Sequence, residues 1–174
     1  MGTANVPKKG KKKEPYKWTE KHQQAFVAIK VAFTSPPILA FPDYSKQFIV
    51  YTDASSNGLG AVLSQVQDGH ERVIAYASRT LRPPEKNDGN YSSFKIELQA
   101  LAWAITEKFK GYLSGSKFTA YTDHNPLVHL PTAQLNATEQ RCFTRLANYD
   151  FNIIYRSGKS NGNVDALSRK PDQD

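Results

Sequence analysis

Residues 48–65, with the sequence FIVYTDASSNGLGAVLSQ, place one aspartate, Asp53, at the end of an apolar alternating segment. Small residues and a second alternating segment follow it. The alternation predicts strands over residues 47–53 and about 58–66, and the turn QDGH predicts a hairpin to a third strand over about 72–78. Connections this short make an antiparallel meander. Because an unpaired buried carboxylate is costly, Asp53 is either solvated at the sheet margin or compensated by positive charge.

Downstream of the meander, strands alternate with helices. Strands are predicted over residues 117–123 and 151–157, and helices over about 19–33, 124–130, 136–150 and 161–170. The clearest helix lies within residues 91–115, where one apolar stripe recurs at spacings of three and four: Phe94, Leu98, Leu101, Ile105 and Phe109. The predicted architecture is therefore an α/β fold with a mixed sheet covered by helices.

The composition limits the classes of protein and partner. A length of 174 residues fits one domain with a short appendage, and the single cysteine, Cys142, excludes an internal disulfide or a cysteine-based zinc site. No apolar window suits a membrane span or a secretion signal, so an intracellular protein without a membrane partner is expected. Most of the net charge of +7 belongs to the lysine-rich residues 1–17, expected to be a disordered, solvated tail or, alternatively, a nuclear-targeting patch.

Acidic residues recur at positions that favour a ligand site. Two predicted strands end in the same Thr-Asp pair, in VYTDAS at Asp53 and in AYTDHN at Asp123. Ligand sites in α/β sheets favour the carboxyl ends of strands, and two neighbouring carboxylates repel unless a proton or a cation lies between them. Glu97 lies about 40° from the buried stripe of its helix, so it can point at the sheet. Asp165 opens the terminal segment DALSR.

These four carboxylates, Asp53, Glu97, Asp123 and Asp165, are predicted to hold divalent cations. Hard oxygen ligands without thiols favour Mg²⁺ or Mn²⁺ over zinc. Two metal ions about 4 Å apart activate a water and stabilise the leaving oxygen of a phosphodiester. Each acid taken alone would simply be solvated, so the prediction rests on the four acids together with the order of the elements.

Several longer segments resemble one protein family. They span about residues 47–169 and read YTDASSNGLGAVLSQ, VIAYASRTL, NYSSFKIELQALAWAITEKFKGYLSGSKFTAYTDHNPL, LANYDFNIIYRSGK and NGNVDALSR. They resemble the ribonuclease H domain of gypsy-type LTR retrotransposon reverse transcriptases, and residues 18–43 resemble the end of the polymerase connection. The basic residues 1–17 form a predicted tail; the resemblance implies a helix and linker over 18–46 and the ribonuclease H domain over 47–170, followed by a tail over 171–174.

The resemblance also implies a fold, an activity and partners. The fold is ribonuclease H-like, a five-stranded mixed sheet of order 3-2-1-4-5 flanked by helices. The activity is endonucleolytic hydrolysis of the RNA strand of RNA/DNA hybrids during reverse transcription, with two Mg²⁺ ions that Mn²⁺ can replace. The family's four acids map onto Asp53, Glu97, Asp123 and Asp165 as catalytic residues and metal ligands. The implied partner is the polymerase domain of the parent polyprotein, in a cytoplasmic virus-like particle or the nucleus.

Residues near two of the acids suggest how a hybrid would be held. A hybrid has a 2′-hydroxyl on one strand only, which lets a protein distinguish RNA from DNA. Small residues after Asp53 allow close approach of a nucleic-acid backbone, so Ser55 and Asn57 are predicted contacts; the alternative is a tight strand connection. Ser93 lies one turn before Glu97, where it can bind phosphate at a helix N-terminus.

The chain departs from the family at two places. Many ribonucleases H carry a histidine shortly before the last aspartate, whereas this chain has YRSGKSNGNVD there. Arg156 or Lys159 is therefore predicted to contact substrate in its place. Cys142 stands where the family has a tryptophan, which concerns a packing contact. His124, directly after Asp123, either caps the short helix that follows or contacts substrate.

Two other functions stay open on the sequence. A non-catalytic module of this fold, a tether or host-adopted domain, would bind nucleic acid or protein without cutting, although four intact acids argue against it. Another nuclease of the same superfamily, an exonuclease or an integrase-like strand transferase, would use similar acids. The position of Asp165 in a terminal DALSR segment favours the ribonuclease H interpretation, in which cleavage leaves 3′-hydroxyl and 5′-phosphate ends.

Overall fold

A computed structural model describes residues 17–33, 39–86, 92–157 and 162–168 of the chain. Two 3₁₀ turns occupy Pro83–Lys86 and Asn125–Thr132, and a π-helical turn occupies Ala104–Lys108. No helix within the described residues is long and apolar enough to cross a bilayer. The α-helices and strands of these residues are α1 (Glu20–Phe33), β1 (Phe48–Ala54), β2 (Gly58–Gln67), β3 (His70–Thr80), α2 (Ser93–Trp103), α3 (Lys110–Leu113), β4 (Phe118–Thr122), α4 (Ala137–Leu146), β5 (Phe151–Tyr155) and α5 (Gly162–Ser168).

The five strands form one mixed sheet in the order β3-β2-β1-β4-β5, which confirms the predicted fold class and strand order. β1 and β3 run antiparallel to β2, whereas β1, β4 and β5 are parallel. The β2–β3 turn has positive φ at both central residues, 52° at Asp68 and 75° at Gly69, which is the conformation that an Asp-Gly pair favours. The parallel pairs need crossover connections, which the segments containing α2 and α4 supply.

The segment from α2 to α3 packs its apolar stripe on one face of the sheet, in one core with Phe48 of β1. The backbone is not one continuous α-helix as predicted. It widens at Ala104–Lys108, where the amide of Phe109 donates to the carbonyl of Ala104 at 2.8 Å. The stripe stays buried on both sides of this turn, so apolar spacing alone does not reveal it. Four of the five predicted stripe residues are buried: Leu98, Leu101, Ile105 and Phe109.

Two helices begin at residues whose side chains cap the first turn. The hydroxyl of Ser92 accepts a hydrogen bond from the amide of Lys95 at the start of α2. At the start of α4, the side chain of Asn136 accepts from the amide of Glu139, while the Glu139 carboxylate accepts from the amide of Asn136 at 3.0 Å. This reciprocal pair is a capping box, and it satisfies amides that the first turn leaves without partners.

α5 covers the other face of the sheet, where Val164 packs with Tyr51 in a small apolar cluster. The backbone of α5 rests directly on β2. A Cβ at Gly60 would lie 2.6 Å from the carbonyl oxygen of Val164 and 2.8 Å from the amide nitrogen of Ser168, and one at Gly58 would lie 2.9 Å from the Ser168 carbonyl oxygen. Only residues without a side chain permit this approach.

A row of polar contacts crosses this second face. The guanidinium of Arg156, just after β5, lies over the stacked rings of Tyr51 and Tyr121 and donates to the Tyr51 hydroxyl at 2.7 Å. That hydroxyl donates to Glu71 at 3.1 Å, and the hydroxyl of Ser64 donates to the other Glu71 oxygen at 2.7 Å. Burial and the charge of Glu71 raise the pKa of Tyr51, so it acts as a neutral donor. The row ties the strands together across the sheet.

Candidate active site

Three carboxylates meet at one end of the sheet. Asp53 is the penultimate residue of β1, Asp123 directly follows β4, and Glu97 lies in α2. Because Tyr51 of β1 is paired in register with Tyr121 of the parallel strand β4, the two aspartates lie at corresponding positions two residues further on. Each of the three acids offers one oxygen, and these oxygens all lie within 4.8 Å of one another. The two aspartates therefore lie side by side.

The environment of Glu97 disfavours a third negative charge. Its side chain is 7% exposed, and burial, followed by the charges of Asp53 and Asp123, raises the pKa of Glu97 to about 8. A hydrogen bond from the backbone of Ala54 lowers that pKa without offsetting the increase. The Oε2 atom is buried and has no hydrogen-bond partner within the described residues. The cluster therefore needs a proton or a cation, as expected for adjoining carboxylates.

The donor set of this cluster fits a hard divalent cation. Within the described residues, the cluster consists of carboxylates from Asp53, Glu97 and Asp123. Mg²⁺ and Mn²⁺ prefer such oxygen ligands. A cation would also give the buried Oε2 atom of Glu97 the partner that it lacks. The predicted metal site therefore has a physical basis in the arrangement of these three side chains.

Ser168, which the sequence did not single out, also contacts the cluster. It is the last residue of α5, and its side chain is 2% exposed. Its hydroxyl donates a hydrogen bond to Oδ2 of Asp53, and its carbonyl oxygen accepts one from the hydroxyl of Ser55 at 2.5 Å. The available signal was its position three residues after Asp165, but a serine at that spacing in a helix has no specific meaning without the tertiary contact.

The fourth predicted acid, Asp165, lies in α5, the helix that rests on β2. Its side chain lies outside the described part of the structure, and Lys159 lies outside the described residues altogether. The structure thus brings together three of the four predicted acids. The assignment of Asp165 to the same site stays a prediction.

Comparison with known proteins identifies the family. A family model described as the RNase H-like domain found in reverse transcriptase matches residues 18–120. The chain belongs to this family. The match includes Asp53 and Glu97 and ends in β4, three residues before Asp123.

Curated relatives of this ribonuclease H-like domain are polyproteins of transposons. The retrovirus-related Pol polyprotein from transposon 412 of Drosophila melanogaster is 41% identical over 164 residues, which cover 91% of this chain and 13% of the relative. The corresponding polyprotein from transposon gypsy of the same organism is 37% identical over 169 residues, which cover 95% of this chain and 16% of the relative. The resemblance to gypsy-type reverse transcriptases is therefore confirmed, and the chain spans less than a fifth of these relatives.

A solved structure supports the fold. The RNase H1 of the archaeon Halobacterium salinarum superimposes on this domain with a TM-score of 0.52 at 16% sequence identity. The alignment covers 70% of this chain and 93% of the archaeal chain. The two proteins therefore share a fold, although their sequences have diverged widely.

In this ribonuclease H-like domain, Ser55 and Asn57 lie in the turn between β1 and β2. The hydroxyl of Ser55 accepts hydrogen bonds from the amides of Asn57 and Gly58, both at 3.1 Å, besides its bond to Ser168. These bonds are those of a tight strand connection, the alternative considered for this segment. The side chain of Asn57 is exposed. Contact of either residue with substrate stays a prediction.

Ser93 and His124 lie next to each other beside the acidic cluster. The hydroxyl of Ser93 is 3.4 Å from Nδ1 of His124. His124 is the N-cap residue of the turn Asn125–Thr132, but its side chain makes no capping hydrogen bond. The capping alternative is therefore wrong for the side chain, because the ring faces Ser93 instead. Burial lowers the pKa of His124, although the charge of Asp123 acts in the opposite direction. The net effect favours a neutral ring. A substrate contact stays a prediction.

Arg156, one of the two residues predicted to replace the missing histidine, lies against Tyr51. Tyr51 precedes Asp53 by two residues in β1. The guanidinium therefore has a defined structural role on the sheet face. Its contact with substrate stays a prediction.

We predict that metal-free protein becomes less stable as the pH rises from about 5 to about 8. The folded domain retains the Glu97 proton up to a pKa of about 8, whereas the unfolded chain releases it near 4.5. The unfolded state therefore binds fewer protons in this window, and the free energy of unfolding falls by up to about 1.4 kcal/mol per pH unit. Urea denaturation in EDTA at several pH values measures this slope.

Glu97→Gln should remove this part of the slope, whereas Glu107→Gln, at an exposed residue paired with Arg145, should retain it. Equal slopes in wild type and Glu97→Gln would contradict the assignment of the proton to Glu97.

Proposed function

We propose that this chain is the ribonuclease H domain of a retrotransposon reverse transcriptase, an endonuclease that hydrolyses the RNA strand of RNA/DNA hybrids. The observation that carries the proposal is the meeting of Asp53, Glu97 and Asp123 within 4.8 Å at the carboxyl ends of neighbouring parallel strands. The relatives' identity as Pol polyproteins supports a role in reverse transcription.

Asp53, Glu97 and Asp123 would hold two Mg²⁺ ions, with Asp165 as the fourth ligand. When bound, the ions would activate a water and stabilise the leaving oxygen of the phosphodiester. Two hydrogen bonds from the chain favour the ionised form of these ligands, although burial still holds a proton on Glu97 that a bound cation would displace. Ser168 donates to Asp53, and the backbone of Ala54 donates to Glu97. Hydrogen bonds to a carboxylate favour its charged state, which is the state that binds a cation.

Substrate would be held around this cluster. Ser93 is the first residue of α2, where backbone amides and the helix dipole favour a phosphate. The exposed Asn57 and the turn that contains Ser55 face the same end of the sheet as Asp53, within reach of a ribose 2′-hydroxyl. Arg156 and Lys159 would add positive charge, and such contacts with phosphate make binding sensitive to salt.

The polymerase domain of the parent polyprotein is the proposed partner, since Pol polyproteins are the chain's relatives. It would supply most of the affinity for the hybrid. The net charge of +7 is concentrated in residues 1–17, so the folded domain itself has little positive charge with which to bind nucleic acid. The proposed compartment is a cytoplasmic virus-like particle or the nucleus, where reverse transcription would take place.

The proposed activity is tested with an RNA/DNA hybrid whose RNA strand is labelled. With Mg²⁺ or Mn²⁺, we expect internal cuts in the RNA that leave 3′-hydroxyl and 5′-phosphate ends, and no cuts after addition of EDTA. Duplex DNA and single strands, offered in parallel, should remain intact. The assay is run on this chain and on its fusion to the upstream polymerase segment.

Cleavage of the hybrid only by the fusion would support the proposed hydrolysis and would assign binding of the hybrid to the polymerase segment. Absence of cleavage in both proteins would favour a non-catalytic module. Cleavage of duplex DNA would favour another nuclease of the superfamily.

A further inference from the structure

We propose that Ser168 is a positioning residue for the acidic cluster. Its hydroxyl holds the carboxylate of Asp53 in the orientation that binds a divalent cation, and its backbone joins α5 to the β1–β2 turn. The inference rests on the proposed function, because it concerns the cation that Asp53, Glu97 and Asp123 would hold.

The first support is the hydrogen bond from Ser168 to Oδ2 of Asp53. Both side chains are buried, with exposures of 2% and 6%, so little water competes for the bond. A hydroxyl that donates to an ionised carboxylate makes a stronger hydrogen bond than one between neutral groups. Such a bond to one oxygen restricts rotation of the carboxylate, and partners of this kind orient the groups that ligate a metal.

The second support is that Ser168 is itself fixed in place. Its carbonyl oxygen accepts the hydroxyl proton of Ser55 at 2.5 Å, and the Ser55 hydroxyl accepts from the amide of Gly58 in the turn after β1. Because Gly60 has no side chain, the amide of Ser168 can approach β2 closely. Ser168 therefore cannot move away from Asp53 without displacing α5 or the turn.

A second buried serine provides a matched control. Ser64, which is fully buried in β2, donates to the carboxylate of Glu71 at 2.7 Å. The two serines thus make the same kind of bond, but Glu71 is not part of the acidic cluster found among the described residues. A purely structural role for Ser168 predicts that removal of either hydroxyl has the same consequences.

The experiment compares wild type, Ser168→Ala and Ser64→Ala. Three properties are measured. Mn²⁺ binding is measured by calorimetry without nucleic acid, and stability by thermal unfolding in EDTA. Hybrid cleavage is measured across a range of Mg²⁺ concentrations. We expect Ser168→Ala to weaken Mn²⁺ binding about tenfold or more, and Ser64→Ala to leave it unchanged. The Mg²⁺ concentration for half-maximal cleavage should rise for Ser168→Ala by a similar factor, with an unchanged KM for the hybrid. Both variants should unfold at slightly lower temperatures than wild type.

Equal Mn²⁺ affinities in wild type and Ser168→Ala, or an equal loss in Ser64→Ala, would overturn the positioning role while leaving the proposed function intact. A wild type that binds no Mn²⁺, and that cuts no hybrid either alone or fused to the polymerase segment, would overturn both. If Ser168→Ala does not fold, NMR of the labelled wild type decides. We expect a slowly exchanging Ser168 hydroxyl proton whose resonance shifts in Asp53→Asn. A rapidly exchanging proton would overturn the role.

Discussion

Replacement of Asp53 by Asn is expected to reduce hybrid cleavage by more than a hundredfold while raising the thermal stability of the metal-free domain. Loss of a residue that merely supports a metal ligand lowers metal affinity or activity by about 10- to 100-fold, so loss of a ligand should lower activity further. Stability should rise because Asp53 is one of the two charges that act on buried Glu97. A gain of about 1 kcal/mol corresponds to an increase of roughly 2–4 °C in Tm. An asparagine oxygen can still accept the Ser168 hydrogen bond, so the fold should persist.

Asp150→Asn is the matched control for this substitution. Asp150 forms an exposed ion pair with Lys117 at 3.2 Å, and pairs of this kind contribute about 1 kcal/mol or less. We therefore expect wild-type cleavage and no gain in Tm. Initial rates with labelled RNA, together with thermal unfolding in EDTA, measure both properties. Wild-type cleavage by Asp53→Asn, or an equal loss in Asp150→Asn, would contradict the assignment of Asp53 to the metal site.

Gly60→Ala is expected to destabilise the domain by about 1–3 kcal/mol, the usual cost of forcing extra atoms into a packed site. Its new Cβ would lie 2.6 Å from one backbone atom of α5 and 2.8 Å from another, and a backbone cannot move aside as a flexible side chain can. α5 must shift away from β2, and Ser168 and Asp165 shift with it. Cleavage should therefore fall about tenfold or more, even at temperatures where the variant is folded.

Gly111→Ala tests whether this effect is specific to the contact between α5 and β2. Gly111 lies in α3, and a Cβ there would meet no atom within 4 Å. Alanine favours a helix over glycine by about 0.8–1.0 kcal/mol, so this variant should be as stable as wild type or more stable. Urea denaturation and cleavage of both variants provide the measurement. Wild-type stability and activity in Gly60→Ala would show that α5 does not rest on β2 as described.

Much of the fold follows from local signals. The Asp68–Gly69 turn, the capping pair Asn136 and Glu139 and the apolar stripe each depend on residues close together in the chain. The strand order came from the family resemblance, because periodicity alone does not reveal which strands are neighbours. Once the order is known, the meeting of Asp53 with Asp123 follows from the repeated Thr-Asp pairs.

The remaining features depend on contacts that sequence patterns do not encode. Ser168 and Asp53 are 115 residues apart, and neither local spacing nor composition indicates their hydrogen bond. The role of Gly60 appears only when a helix passes over it. His124 stands at a position typical of a helix cap, but the tertiary arrangement turns its ring to Ser93.

The late position of α5 has a consequence for the order of events during synthesis. Every strand of the sheet precedes α5 in the chain, and the two bonds that close the site join residues 113 and 115 positions apart. A ribosome releases residue 168 only after the whole sheet has emerged. The nascent chain therefore contains its core before it contains a complete set of site residues, and the proposed nuclease activity would have to wait until α5 has docked.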